Sequence, residues 1–590
     1  MRRQGTNSAS RVMESTSNHT IDILVVGSGA AALAAAATAK QLGLRTLVIE
    51  QSNKIGGTTA YSGGTIWIPQ NSVSEAAGFN DSRDAARQYL QDSLALSGGP
   101  GPESTAARID AFLAGGPAMV NFFRGLGLRW RHSPIPDYRP EILGALDAGG
   151  RTLDPCPFDA GTLGRWADRL RQPAHSAPVA YFHDFVTLTK PYASAIDFLT
   201  VCWMKLQAFF RGKTMTRPTY MGSSLVAQLL DICLRKGGTA IQIEVNTKFK
   251  DLLVEGGAVY GAVVESKDSG VFKVYAPYGF LLAAGGFSRR EDLRREHLPL
   301  IGTEWTLTQP EGDTGDALEA ACEVGAATSL MGEAWWIPTI IDPGSGRLTT
   351  ALFELCKPHC IVVDRQGSRI FSEADPYGDV GRALYYRSRG NDNNAWLILD
   401  GNYRSRYTLG SLGPRVEPVD GLARGYIFRA DDLAGLAAQI GVEVKGLLGT
   451  VETWNQACDG GVDGQFGKGR SKYHLFIGDR SAKRPNMGTL DQPPYYAIQV
   501  FPGDAGTKGG LLTDEYGRVV DTRGNAIDGL YAAGNSSASV MGAASLGAGV
   551  TLGPAMTFAH LAVLHMSDRR KSRGERGFPL PGQEDSDIDA

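Results

Sequence analysis

The chain has 590 residues, more than the roughly 250–300 that one hydrophobic core accommodates, so at least two domains are expected. With 43% hydrophobic and 21% charged residues it reads as globular, and a net charge of −3 leaves no basic footprint for nucleic acid. Seven scattered cysteines argue against a disulfide framework, and no apolar run reaches the ~18 residues of a membrane span.

Residues 1–19 are polar, lack the apolar stretch of a secretory signal and are expected to be disordered. "IDILVV" (21–26) is a continuously apolar run, as a strand buried on both faces requires. Gly27, Gly29, Ala30, Ala31 and Ala32 then make a G-x-G-x-x-A corner opening an alanine-rich helix. Such a corner lets a pyrophosphate meet the unpaired amides at a helix N-terminus. The next strand, "LRTLVIE" (44–50), ends at Glu50, where a carboxylate can accept from a ribose hydroxyl, with Gln51 beside it. A second glycine-rich loop follows, "KIGGTTAYSGGTIWIP" (54–69), placing Gly57, Thr58, Thr59, Ser62 and Gly63 next to the corner. A second such loop so soon after the ribose acid is unusual for a nicotinamide site and is suited to lining an extended pyrophosphate and a flavin ring.

Residues 174–216 carry Ile196, Leu199, Trp203, Leu206 and Phe210 at helical spacing. The pattern predicts a packed helix, with a hydrophobic cover or, given Lys205, Arg211 and Lys213, a membrane-surface contact as the other readings. "LLAAGGF" (281–287) is a strand and turn containing Ala284 and Gly285. "CKPHC" (356–360) has no second ligand pair and reads as thiols on a buried strand, not as a metal site. "GLLTDEYGRVVDTRGNAIDGLYAAGN" (510–535) reads as a hairpin, a strand and a small-residue turn ending in Gly534 and Asn535. "SLGAGVTLGPAMTFAHLAVLH" (545–565) opens with Gly549, Val550 and Leu552 at the start of a helix whose N-terminus can stabilise a reduced flavin. The tail 569–590 is charged, rich in Gly and Pro, and expected to be disordered.

From about residue 20 to 568 the chain resembles the flavoprotein family containing fumarate reductase and 3-ketosteroid Δ1-dehydrogenase. The ketosteroid dehydrogenase branch is the more similar. "GGTTAYSGGTIWIP", "MGEAWWIP" (331–338), "GDAGTKGGLLTDEYGRV" (503–519) and "GLYAAGNSSASVMG" (529–542) carry the resemblance. It implies non-covalent FAD; no histidine stands in "AYSGG" to form a covalent link. It also implies an α/β fold: a Rossmann-type FAD-binding domain split in sequence (20–300 and 480–568), with an inserted α+β catalytic domain (301–479). By resemblance, Tyr377 in "FSEADPYGDVG" (371–381) is the base and Tyr138 in "SPIPDYRPE" (133–141) its helper. The family's ketone anchor is a Tyr-Pro-Gly-x-Gly run. Here "SLGAG" (545–549) keeps the backbone donor of Gly549 but has Ser545 in the tyrosine's place. Tyr181, Tyr192 and Tyr220 are the other candidate donors.

The expected activity is desaturation of a hydrophobic ring ketone beside its carbonyl, with electrons passing to a quinone or other acceptor. A fumarate-type reductase would clamp a dicarboxylate with arginines; Arg365, Arg369 and Arg382 are near but fit no such pattern. A non-catalytic flavin protein is the third reading. The expected location is cytoplasmic, with the 174–216 segment as a point of membrane association.

Overall fold

A computed structural model describes residues 19–172, 180–308, 311–387 and 395–573. The expected disordered ends, residues 1–18 and 574–590, and part of the 174–216 segment lie outside these. The boundaries shift slightly: His19–Thr20 already pairs with Val274–Tyr275, and the last helix, Leu552–Arg573, runs past the expected end at 568.

The apolar run forms the strand Ile23–Val26 at the centre of a six-stranded sheet. On one side lie Thr46–Glu50 and Ile241–Val245; on the other, Gly279–Leu282, Ala526–Ala532 and the antiparallel Arg518–Val520. The five other strands are mutually parallel, and those at the centre are buried on both faces, which explains their lack of alternation. Ile23–Val26 and Ala526–Ala532, which flank Gly279–Leu282 in the sheet, are some five hundred positions apart in sequence, so the nucleotide-binding unit is split as expected. One face is covered by the helix Ala30–Gln41, whose alanines let Leu552–Arg573 and Met221–Leu234 pack closely. An antiparallel layer, Thr247–Glu255, Ala258–Ser266 and Gly270–Tyr275, covers the other face.

The insertion is built on a second sheet, ordered Leu348–Thr350, Ala334–Ile341, Tyr495–Thr507, Ala395–Leu399 and Cys360–Val363. The expected division at 480 therefore misplaces one element. Tyr495–Thr507 pairs with Ala334–Thr339, Ala395–Leu399 and Phe428–Ala430, so it belongs to the inserted sheet. Its far end returns to the first domain: Asp504 is ion-paired at 2.9 Å with Arg294, both fully buried, and Thr507 Oγ1 accepts from Phe287 N–H. Removing one partner of such a pair would leave the other charge buried and uncompensated, at a cost of about 3–5 kcal/mol.

The 174–216 segment departs from the packed-helix expectation. Its spacing does make a helix, Ala195–Thr214. Yet Ile196 is 76% exposed, Leu199 65% and Trp203 58%, and Phe198, Leu206, Phe209 and Phe210 join them. What holds the helix is a polar seam: Asp197 pairs with Lys190 at 2.9 Å and accepts from Ser194 and Ser481. The periodicity was real, but the apolar stripe faces outward.

Candidate active site

A cavity of about 1390 Å³ runs along the junction between the two domains. Its inner part is built by the corner and the loops that the sequence singled out. Gly27 has φ +106°, and a Cβ there would lie 2.3 Å from Ala283 O, so only glycine allows this strand and turn to meet. The helix Ala30–Gln41 has no side-chain cap at Gly29; Thr59 Oγ1 accepts from Ala30 N–H alone. The following first-turn amides are left for a ligand, and Gly57 faces Gly29 across the gap. Glu50 accepts from Ser28 Oγ at 2.6 Å and Ser52 N–H at 2.9 Å, which leaves lone pairs for ribose hydroxyls. Gln51 lies beside it and donates to Gly312 O. This cradle of two glycine loops, an uncapped helix end and an oriented acid fits a dinucleotide of the FAD type.

Thr58, Thr59, Ser62, Gly63, Ala284, Gly285, Gly534, Asn535 and Leu552, the other residues expected at the cofactor, line the same cavity. Val550 does not: it is buried in the core, and Thr551 takes the cavity position instead. Gly549 and Leu552 on either side keep their expected places, and only the side chain of Val550 turns into the core.

The outer part holds the candidate chemistry. Tyr377 begins the helix Tyr377–Arg387 and lines the cavity. Tyr138 sits behind it, edge to face, with ring centroids 5.6 Å apart, and does not line the cavity itself. Tyr473 packs on Tyr138 at 4.8 Å. Burial pushes the Tyr377 pKa above its ordinary value, and the Tyr138 hydroxyl beside it pulls the other way. Burial and the neighbouring tyrosines raise Tyr138 well above the usual range. So, of the two, Tyr377 is the one eased toward losing its proton.

Gly549 also lines the cavity, and its surroundings explain which way it points. Leu546 O accepts from Tyr138 N–H and Tyr89 Oη; Ala548 O accepts from Thr152 Oγ1; Gly549 O accepts from Trp67 N–H. Lys508 Nζ donates to Ala544 O at 2.7 Å, and burial lowers this amine's pKa to about 7. With these carbonyls held by the protein, the N–H of Gly549 has no partner among the described residues. Gly549 has φ +98°, and a Cβ would lie 2.5 Å from Ile66 C, so no other residue fits.

Ser545 lies outside the cavity lining, and its Oγ faces Gly378, where a Cβ would be 2.8 Å away. Among the alternative donors, Tyr192 lines the cavity at its outer part, whereas Tyr181 and Tyr220 do not.

Sequence reasoning missed the walls of the outer part. Phe182 packs over Gly63, where a Cβ would meet its ring at 2.8 Å, and Phe185 and Phe353 stack with centroids 5.8 Å apart. Phe198, Val201, Cys202 and Lys205 of the exposed helix line the same cavity, so this helix borders its mouth. Glu354, buried, is also there. An acid inside the apolar run "LFEL" was the available signal. Cys356 and Cys360 are buried, with thiols turned to backbone carbonyls.

The FAD binding domain family matches residues 22–552. The chain is 38% identical over 576 residues to 3-oxosteroid 1-dehydrogenase of Mycobacterium tuberculosis, covering 94% of this chain and 99% of that protein. It is 35% identical to 4-oxocyclohexanecarboxylate 2-dehydrogenase of Sinomonas cyclohexanicum, covering 93% of each. The crystal structure of 3-ketosteroid Δ1-dehydrogenase from Sterolibacterium denitrificans, in complex with 1,4-androstadiene-3,17-dione, superposes with a TM-score of 0.84 at 36% identity. That match covers 93% of this chain and all of that one. A split nucleotide-binding fold, an FAD-type cradle and these relationships along almost its whole length make the chain a member of the FAD binding domain family, an FAD-dependent dehydrogenase of the 3-ketosteroid dehydrogenase branch.

Proposed function

We propose that this enzyme introduces a C=C bond beside the carbonyl of a hydrophobic ring ketone, with Tyr377 as base and Gly549 as anchor. The observation that carries this reading is that Tyr377 and Gly549, whose N–H is unpartnered among the described residues, line one cavity with the FAD cradle. Gly549 N–H donates to the ketone oxygen and stabilises the charge it gains as the α-proton leaves. Tyr377 accepts that proton, and Tyr138 supports it from behind. When bound, FAD supplies the acceptor for the hydride leaving the β-carbon. Phe182, Phe185 and Phe353 exclude water and suit an apolar ring.

Ser545 does not replace the family's anchor tyrosine, so the ketone oxygen has one donor where the resemblance implies two. One oxyanion donor is worth roughly 2.7–4 kcal/mol, so ketones are expected to be turned over more slowly here than in an enzyme with both. The arginines named for the fumarate-type alternative are not placed to clamp a ligand. Arg369 is bound to Glu373 and Asp463, Arg382 to Glu333, and neither these nor Arg365 line the cavity. Mixing the oxidised enzyme with a 3-ketosteroid or a small cyclic ketone, without oxygen, is expected to bleach the flavin absorbance in a single turnover. Bleaching by neither, with recolouring of reduced enzyme by fumarate, would replace this reading with a reductase.

The same proposal covers how substrate and acceptor arrive. No helix among the described residues is long and apolar enough to cross a membrane. The Ala195–Thr214 helix presents Ile196, Leu199, Trp203 and Phe210 outward beside Lys205, Arg211 and Lys213, a composition suited to lying on an anionic cytoplasmic bilayer surface. A cavity mouth on that helix would take apolar ketones, and a quinone acceptor, from the lipid. The enzyme is expected to sediment with anionic vesicles and to lose this in the Ile196→Glu/Trp203→Glu double variant, while still reducing its flavin with a soluble ketone. Equal sedimentation of both proteins would exclude the helix as the contact.

A further inference from the structure

Glu354 is buried, yet lines the cavity with half of its hydrogen bonding unmet. Oε1 accepts from Gly410 N–H at 3.2 Å; Oε2 has no partner among the described residues. Among the described residues no cation is ion-paired with Glu354. The nearby Lys357 donates to Ile477 O at 2.8 Å and is turned away, and Asp342, across from it, is occupied by Ser411 N–H and Gly344 N–H. Leu352 and Phe353, just before Glu354, pack in one cluster with Tyr377, Phe182 and Phe185. Glu354 instead reaches the 408–413 turn, where Thr408 and Ser411, with Thr349 and Thr350 from a neighbouring strand, line the cavity. The cavity is thus apolar around the reacting ring and polar beyond it. Burying an unmet carboxyl is costly, and such a group at a site wall is usually met by a ligand.

We infer that Glu354 reads the remote end of the substrate: it favours ring ketones whose far end carries a neutral hydroxyl or keto oxygen, and disfavours those ending in a carboxylate. This rests on the ring-ketone reading above. A neutral oxygen completes the hydrogen bonding of Oε2, while a carboxylate there would face the ionised fraction of Glu354 with no cation paired to it among the described residues. Burial pushes the pKa of Glu354 up to about 7, so near neutrality the group is available both as donor to a keto oxygen and as acceptor from a hydroxyl. Lys205 lines the mouth, with Lys54, Arg171 and Lys248 elsewhere on the lining, and works against exclusion of anions, which makes the preference a measurable competition.

The test uses the holoenzyme and three 3-ketosteroids that differ only at the remote ring: 17-hydroxy, 17-deoxy and 17-carboxylate. Two quantities are read, kcat/KM and the dissociation constant from the flavin spectral shift in the oxidised enzyme under non-turnover conditions. In the wild type the hydroxyl compound is expected to bind about tenfold tighter than the deoxy compound, and the carboxylate more weakly than either. Glu354→Leu is expected to bring the hydroxyl-to-deoxy ratio to about one, and Glu354→Gln, which keeps a donor and an acceptor, to retain it and to admit the carboxylate. A ratio near one in the wild type, the same ratio in wild type and Glu354→Leu, or a wild-type preference for the carboxylate would each overturn the inference. If the steroids bind with the expected order but none reduces the flavin, the ring-ketone reaction fails and the role of Glu354 in binding stands.

Discussion

Tyr377→Phe is expected to retain its FAD and its thermal stability and to reduce ketone-driven flavin reduction by about 10²–10⁴-fold, the usual effect of losing a general base. The ring packs among Tyr138, Phe185, Leu352 and Phe353, and phenylalanine keeps those contacts while removing only the hydroxyl. The pH profile separates a base from a packing residue. A phenol accepts a proton only after losing its own, and burial holds the Tyr377 pKa above its ordinary value of about 10. Below that pKa the reactive fraction grows as pH rises, so the single-turnover rate is expected to climb by up to about tenfold per pH unit on the alkaline side of neutrality. Tyr138 acts against the effect of burial, so Tyr138→Phe should move the climb to higher pH and cost less at its plateau. Tyr377→Phe should flatten the profile. Stopped-flow reduction of the flavin across pH measures all three. A wild-type rate in Tyr377→Phe would place the base on another residue.

How far such a site can be read from sequence depends on whether its parts are local. The corner at Gly27–Ala32 was legible because strand, turn and helix are contiguous and each has its own pattern. Glu50 was legible because a parallel neighbour follows one helix later at a near-fixed distance. Tyr377, Tyr138 and Gly549 came from resemblance alone: they are far apart in sequence, and only the split sheet and the inserted domain bring them to one junction. The exposed helix shows the limit of periodicity. Spacing says that one face of Ala195–Thr214 is apolar, but not whether the protein covers it; the Lys190–Asp197 pair, which turns that face outward, has no sequence pattern. Ser545 failed as an anchor for a related reason. The resemblance puts it in the tyrosine's position, but a side chain this short stops at Gly378, outside the cavity. The boundary at 480 was misplaced because Tyr495–Thr507 is long enough to serve both domains: it pairs within one and is tied by Asp504 to the other.

Gly29→Val is expected to give a folded but nearly colourless protein, with FAD content below about a tenth of wild type, because side-chain atoms there would occupy the space of the pyrophosphate. The choice of Gly29 over Gly27 makes the result interpretable. At Gly27 the backbone is left-handed and a Cβ would lie 2.3 Å from Ala283 O, so substitution would disturb the sheet itself and any loss of FAD would be indirect. Gly29 has φ −72° and ψ −174°, a conformation open to any residue. Its Cβ would meet only Thr59 Oγ1, at an ordinary 3.5 Å. The protein has room for that atom; the ligand does not. Gly29→Ala should therefore fall between wild type and Gly29→Val in FAD content, while both variants keep the circular dichroism of the wild-type apoprotein. Flavin absorbance per mole of protein after gel filtration gives the occupancy. A folded Gly29→Val variant with full flavin would mean that the dinucleotide does not rest on the N-terminus of Ala30–Gln41. The ribose role of Glu50 would then fall with it, since both depend on the dinucleotide lying across the C-terminal ends of Ile23–Val26 and Thr46–Glu50.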